Sequence, residues 1–229
     1  MGIFNSLNYK ISGEDHFLRR TLKATTAPLI LDVGANKGAY AKRVKEISPG
    51  ATVFALEPHP KTFLSLKEAA AANNFNAFNL GLSNETGKLK LYDYLDQDGS
   101  THASLHQDVI EKLHGKKAIE HIVDVITLDE FAAQNNIEKI DLLKIDTEGN
   151  EYNVLLGTQQ LLRNAKIDCI QFEWSELNMV NRKFVKDFME LLPDFSFFRL
   201  LPNGMVSLTP YEPVYCEILG YQNIVAIKS

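Results

Sequence analysis

The chain reads as an α/β protein built on a doubly wound, mostly parallel sheet, and three observations predict it. Short apolar runs rich in β-branched residues recur as LILDV, ATVFAL, IDLLKI and IDCIQFEW. Segments whose apolar residues fall at helical spacing separate them. Three of the runs close on an acid, at Asp32, Glu57 and Asp146, and in such a sheet ligands bind outside the carboxyl ends of the strands. Those acids are expected to open onto one crevice.

Residues 1–28 form a leader in which Phe17, Leu18 and Leu22 share one face of EDHFLRRTLKA, as a helix covering a sheet edge would. A lid or a contact in a homodimer is the functional alternative. Residues 29–229 follow as one Rossmann-like domain. Its first strand, Leu29–Val33, runs through a turn carrying Gly34 and Gly38 into a helix with Tyr40, Ala41, Val44 and Ile47 on its apolar stripe. Glycines at that junction let the backbone approach a ligand, and the helix start aims its free N–H groups there. The dinucleotide pattern G-x-G-x-x-G would need a glycine where Asn36 stands. Nor is this a Walker loop, because Lys37 precedes the last glycine.

A second strand, Ala51–Leu56, ends on Glu57 followed by Pro58. An acid roughly 20 residues past the loop is where a neighbouring parallel strand places a carboxylate to accept ribose hydroxyls. Pro60 opens a crossover helix that stops at Asn73-Asn74, and a third strand follows at 77–80. Lys88–Tyr94 and Ile119–Ile126 pair as strands around a long polar insertion, 96–117, so that 88–126 forms an inserted β/lid segment. Thr127 and Glu130 make a capping box for the next helix, Glu130 reaching back. Strands at 140–145 and 167–174 come next, then an amphipathic helix, 182–192, with Phe184, Val185, Phe188 and Leu191 inward. A strand at 195–201, a turn at Pro202-Asn203-Gly204 and a last strand at 222–228 complete the chain. Tyr211, Tyr215 and Tyr221 line a sugar site or cover the core.

Composition narrows the partners. With 229 residues, 45% hydrophobic and 23% charged, the chain suits one domain with a full core. A net charge of −5 with scattered Lys and Arg argues against nucleic acid. No run reaches the roughly 20 apolar residues of a membrane span, and no signal-peptide core opens the chain, so a cytoplasmic protein is expected. Met1-Gly2 with Ser6 fits the loose myristoylation pattern and is set aside as chance. Cys169 and Cys216 lack metal or disulfide spacing and read as small buried hydrophobes.

Five blocks in order, DVGANKG, FALEPHP, NLGLSN-x-TG, TLDEF and LLKIDTEGNE with a downstream LLG, resemble the FkbM family of S-adenosylmethionine-dependent methyltransferases. The resemblance implies a class I methyltransferase sheet of seven strands with the last hairpin antiparallel. It implies S-adenosylmethionine held by Asp32, Gly34, Ala35, Asn36, Gly38, Glu57, Pro58 and Asp146, with Ser83 and Asn84 near the adenine. GSTHASL resembles the family's serine-rich loop, which makes His102 a substrate-facing candidate. The implied reaction is O-methylation of a hydroxyl on a sugar, glycolipid or polyketide-type metabolite.

The chemistry centres on IDLLKIDTEGNE. Lys144, Asp146 and Glu148 tend to one side of the strand. A buried lysine needs a partner, and Asp32 or Glu173 is expected to supply it. Asp146, Glu148 and His102 are the candidate bases for the acceptor hydroxyl. Asp146 and Glu173, at neighbouring strand ends, could share a divalent cation, although the resemblance implies no metal. A Rossmann dehydrogenase and a non-catalytic nucleoside-binding module are the alternatives, and Asn36 argues against the former.

Overall fold

The computed structural model describes residues 9–23, 25–100 and 102–229; the Met1-Gly2-Ser6 pattern lies outside them. In chain order the first half holds α1 (Tyr9–Ser12), α2 (Glu14–Leu22), β1 (Leu29–Val33), α3 (Ala39–Ile47), β2 (Thr52–Leu56), α4 (Pro60–Asn73), β3 (Asn76–Phe78), β4 (Gly81–Leu82) and β5 (Gly87–Tyr94). After a π-helical turn at Val109–Leu113 come β6 (Ala118–Ile126), α5 (Leu128–Gln134), β7 (Leu142–Ile145), α6 (Glu151–Leu156), α7 (Gln159–Arg163) and β8 (Cys169–Trp174). The last stretch contains α8 (Leu177–Val180), α9 (Val185–Leu191), β9 (Phe195–Leu201), β10 (Gly204–Ser207), α10 (Pro213–Cys216) and β11 (Gln222–Lys228).

Eight strands form the main sheet in the order β10-β9-β11-β8-β7-β1-β2-β3. The run from β3 to β8 is parallel, while β11 inserts antiparallel between β8 and β9. This is the expected seven-strand plan with a short eighth strand, β10, folded back on β9 by the turn at Pro202-Asn203. Strand order reverses at β1, whose neighbours are β2 and β7, so the crevice opens where the chain first leaves the sheet.

Both faces are covered, as a parallel sheet demands. One apolar cluster joins Leu31, Val33, Leu143 and Ile145 to Phe131 of α5, Val154 of α6 and Phe188 of α9. The opposite face joins Ile30, Val53 and Leu142 to α3, α4 and the leader helix through Phe17, Leu18 and Leu22. Burying each such leader side chain contributes roughly 1.5–3 kcal/mol, so α2 packs as a structural layer over the sheet.

The inserted segment is a second sheet of three strands, β4-β6-β5. Chain 79–82 leaves the main sheet after Phe78, so the third strand is shorter than its apolar run suggests; Gly81 and Leu82 pair instead with Val125 and Ile126. Two local expectations change. Phe184 is 48% exposed, because the helix begins only at Val185, where Phe184 N donates to Asp187 Oδ2 at 2.7 Å. Glu130 does not reach the Thr127 amide. Thr127 N donates to Thr86 Oγ1 at 3.3 Å, and that hydroxyl donates to Glu130 Oε2 at 2.5 Å. Thr86 thus relays between the two ends of the box, while Thr127 Oγ1 caps the Glu130 N–H.

Candidate active site

The turn after β1 is built by backbone contact. Gly34 has φ 78, and a Cβ there would stand 1.7 Å from the Asp146 carbonyl oxygen. Gly34 N and Ala35 N both donate to Leu56 O, at 3.0 and 2.9 Å, which ties the turn to the end of β2. Asn36, at φ 49, follows in the left-handed region, which asparagine tolerates better than most residues. Its N–H donates to Glu57 Oε2 at 3.0 Å, and His59 N donates to Oε1 at 2.8 Å. Each carboxylate oxygen keeps a lone pair, so Glu57 is fixed in place with acceptor capacity left. Burial pushes its carboxyl up to about 7, against the pull of those amides. Gly38 serves packing instead, since a Cβ would lie 3.0 Å from Leu66 and 3.1 Å from Phe75, and its absence lets α3 approach α4.

Register across the sheet lines up two polar rows. Asp32, Lys144 and Gln171 are direct neighbours on β1, β7 and β8. Two residues further along the same face stand Asp146 and Glu173. Lys144 Nζ lies 3.0 Å from Asp146 Oδ2. Its partner is therefore Asp146, not Asp32 or Glu173, because alternate residues of one strand end bring Nζ and carboxylate onto the same face. Burial pulls Lys144 down, but Asp146, Glu14 and Glu173 together hold it above the usual lysine value. Burial likewise pushes Asp32 up to about 7 against Lys144, and its Oδ2 is buried with no hydrogen-bond partner among the described residues. Burial, then the charges of Asp146 and Glu148, drives Glu173 well above the carboxylate range.

Glu151 holds the segment that follows. Its Oε1 accepts from Thr147 N at 2.9 Å, Thr147 Oγ1 at 2.9 Å and Gly149 N at 3.1 Å. This pins Glu148 at φ 52, with Oε1 3.7 Å from His102 Nδ1. The Glu148 pairing raises His102, while burial pushes Glu148 up to about 7 despite it.

The inserted sheet supplies the roof. Ser104 Oγ donates to Glu148 O at 2.8 Å, and Asn36 Nδ2 donates to Ser100 O at 3.4 Å. Buried Asp93 accepts from Gly99 N and Ser100 N at 2.7 and 2.9 Å, which shapes the loop at 96–100. Among the described residues, two groups of side chains carry donor sets a metal could use, His59 with Asp98 and His121, and Asp146 with Glu148 and Glu173. In the first, His59 Nδ1 accepts from Lys61 N and Thr62 N as the cap of α4. The proton then sits on Nε2, which donates to Asp98 at 3.0 Å, so the cluster is a hydrogen-bonded clasp between roof and sheet. In the second, Lys144 already sets a positive charge against Asp146.

Floor and roof enclose a cavity of about 550 Å³, within the range of cofactor sites. Asp32, Gly34, Ala35, Asn36, Glu57, Pro58, His102, Asp146 and Glu148 all line it. At the β4 corner Gly81 and Leu82 line it in place of Ser83 and Asn84. Ser83 N is taken by Ile126 O at 3.1 Å, and its carbonyl packs where a Cβ on Gly157 would come within 2.2 Å. Of the tyrosines, Tyr221 lines the cavity, Tyr215 is 55% exposed, and Tyr211 donates to Glu217 at 2.9 Å. Sequence reading missed Glu14, which reaches the cavity from α2, and the clamp role of Glu151. The only signal for Glu14 was a carboxylate next to a glycine at the head of an otherwise apolar helix face.

A doubly wound sheet with β11 turned antiparallel, an acid-and-glycine turn after β1 and an acid at the tip of β2 together define the class I methyltransferase plan. The family model described as "Methyltransferase FkbM domain" matches residues 32–200, and the chain belongs to that family. It is similar to "2-O-methyltransferase NoeI" of Sinorhizobium fredii, 22% identical over 78% of this chain and 76% of that protein. It is also similar to "31-O-demethyl-FK506 methyltransferase FkbM" of Streptomyces tacrolimicus, at 26% identity over 62% of this chain and 64% of that protein. "Hexuronic acid methyltransferase AglP" of Haloferax volcanii is 27% identical over 70% of this chain and 63% of its own length. The chain thus spans less than two thirds of the latter two.

Proposed function

We propose that the protein transfers the methyl group of S-adenosylmethionine to a hydroxyl oxygen of a sugar, glycolipid or polyketide-type acceptor. The observation that carries this reading is the convergence of the tips of β1, β2, β7 and β8, with Asp32, Glu57, Asp146 and Glu173, on one cavity. The names of two relatives specify O-methylation and that of a third a sugar acid, which supports the acceptor class. When bound, S-adenosylmethionine supplies an electrophilic methyl on a sulfonium.

The residues fit that group. The Gly34–Asn36 turn gives close backbone approach, Glu57 offers free lone pairs to ribose hydroxyls, and the unpartnered Asp32 oxygen suits a cationic end. Asp146 stands between the cofactor side and the acceptor side. Glu148, held near 7 by burial, is matched to accept a hydroxyl proton at neutral pH, with His102 3.7 Å away to share it. Positioning of two reactants supplies roughly 7–11 kcal/mol of the barrier reduction. The acceptor side carries Glu148, Glu173 and Glu176, with Lys144 held by Asp146 and His102 by Glu148.

Calorimetry with S-adenosylhomocysteine, followed by transfer of labelled methyl into extracts fractionated for glycans and polyketides, tests the reading. Saturable binding and label in an alkali-stable ether are expected. Binding of NADH with no binding of S-adenosylhomocysteine would return the site to the dehydrogenase class.

A further inference from the structure

Charge is laid unevenly over this chain. Residues 10–46 hold eight of its 24 Lys and Arg but only four of its 29 Asp and Glu, so the stretch carries +4 and the remainder −9 of a net −5. Two of those four acids, Glu14 and Asp32, are buried. An asymmetry of this kind points to a partner met through one face.

The fold gathers the positive charge outward. α2 and α3 turn Phe17, Leu18 and Val44 onto the sheet. His16, Arg20 and Lys23, at i, i+4 and i+7, share the exposed side of α2, and Lys42 is exposed on α3. The two acids left on this face are occupied. Asp15 accepts from Arg19 Nε at 2.9 Å and from Arg43 Nε at 2.6 Å, which joins the two helices, and Glu46 accepts from Arg43 Nη1 at 2.7 Å. Arg20, Lys23, Lys37 and Lys42 are exposed and, among the described residues, carry no ion pair. Exposed lysines on other faces meet acids, as Lys88 meets Asp124 at 2.7 Å and Lys139 meets Asp168 at 2.6 Å. Lys37 also lines the cavity, so the basic face runs up to the cavity rim.

Two helices packed side by side on a sheet present a broad, level surface. We propose that the outer face of α2 and α3 docks on the anionic headgroups of a lipid bilayer, which sets the cavity rim at Lys37 against the bilayer surface. A plane meets the basic face alone. A nucleic-acid strand needs a positive path along its length and would run on against the acidic remainder. Of the acceptor classes above, docking favours the glycolipid, and that step alone rests on the methyl-donor reading.

Sedimentation of the full chain with vesicles tests the docking, without cofactor or acceptor. The vesicles are phosphatidylcholine alone, or phosphatidylcholine with roughly one part in three of phosphatidylglycerol. The native chain is expected to pellet with the anionic vesicles at low salt, to be released as salt screens the contact, and to stay in solution with the neutral ones. Each Lys or Arg beside an anionic surface corresponds to about five-fold in partitioning, so a triple variant, Arg20→Gln, Lys23→Gln and Lys42→Gln, should bind roughly 100-fold more weakly. A matched variant of ion-paired lysines, Lys88→Gln, Lys112→Gln and Lys139→Gln, should bind as the native chain does. Thermal melts report that both variants are folded. No pelleting of the native chain with anionic vesicles, equal pelleting with both vesicle types, or equal losses in the two triple variants overturns the docking. Tighter binding to a DNA duplex than to the anionic vesicles at the same salt assigns the face to nucleic acid and overturns it too. Calorimetry with S-adenosylhomocysteine is read separately, so a native chain that pellets but does not bind it overturns the methyl-donor reading and keeps the docking.

Discussion

Gly34 and Asp146 meet backbone to backbone, the missing Cβ of one facing the carbonyl oxygen of the other at 1.7 Å. The turn after β1 and the tip of β7 are therefore set by one contact. Gly34→Ala is expected to abolish S-adenosylhomocysteine binding in calorimetry. In denaturant melts it should lose about 1–3 kcal/mol from backbone strain and more from displacing Asp146. Gly38→Ala meets side-chain ends instead, and should retain binding.

Asp146→Asn removes the carboxylate that the proposed function sets between donor and acceptor, while preserving its shape. Methyl transfer should fall about 10²- to 10⁴-fold, with the Kd of S-adenosylhomocysteine nearly unchanged. Equal losses in both would move Asp146 into the cofactor's own shell.

Burial raises Asp32 from 3.8 and Glu57 from 4.5, each to about 7. Both carboxyls hold protons at pH 6, and a ligand that needs them ionised must displace those protons. Affinity for S-adenosylhomocysteine should therefore rise from about pH 5 to above 7 and then level off, with protons released on binding. Calorimetry in buffers of different ionisation enthalpy measures both, and a slope of the opposite sign would refute the roles given to these acids. The stability of the free protein should follow the reverse trend. Its folded form binds more protons than the unfolded chain between the ordinary and raised values, so these groups lower stability as pH climbs through that window.

Phe188 stacks on Phe172 at 4.6 Å and meets Trp174 edge-on at 6.0 Å beneath the β8 tip. Phe188→Ala should cost about 3–5 kcal/mol in unfolding free energy, read by urea denaturation.

Thr86 carries a relay that its sequence position does not announce. Thr86→Val should lower stability by about 0.5–1.5 kcal/mol, and the loss should shrink when Glu130 is already alanine, leaving the share of the Thr127 N–H bond, a coupling that a double-mutant cycle detects.

Strand tips were legible because an apolar run closing on an acid has one natural place in a parallel sheet; Asp32, Glu57 and Asp146 all line the cavity as expected. Glycines were less readable. Gly34 and Gly38 look alike in the chain, yet one faces a strand backbone and the other a helix, a distinction that arises only once α4 has packed. The Lys144 partner was misjudged because cross-strand neighbours were weighed above the residue two places along. Ser83 and Asn84 were displaced by a crossing between sheets, which no local pattern marks. Glu14 was out of reach, since its place on the cavity wall depends on a strand end nearly two hundred residues away.

Floor and roof of the cavity belong to different sheets and meet through a few side-chain contacts, at Ser100, at Ser104 and at the His59–Asp98–His121 clasp. Such a seam uncouples two evolutionary pressures. Under the proposed function, lengthening or recolouring the insertion would retune which molecule is admitted, while the tips of β1, β2 and β7 would keep the donor chemistry constant. Diversification among kindred enzymes should accordingly concentrate in 88–126, and exchanging that segment between them is the economical route to altered acceptor choice.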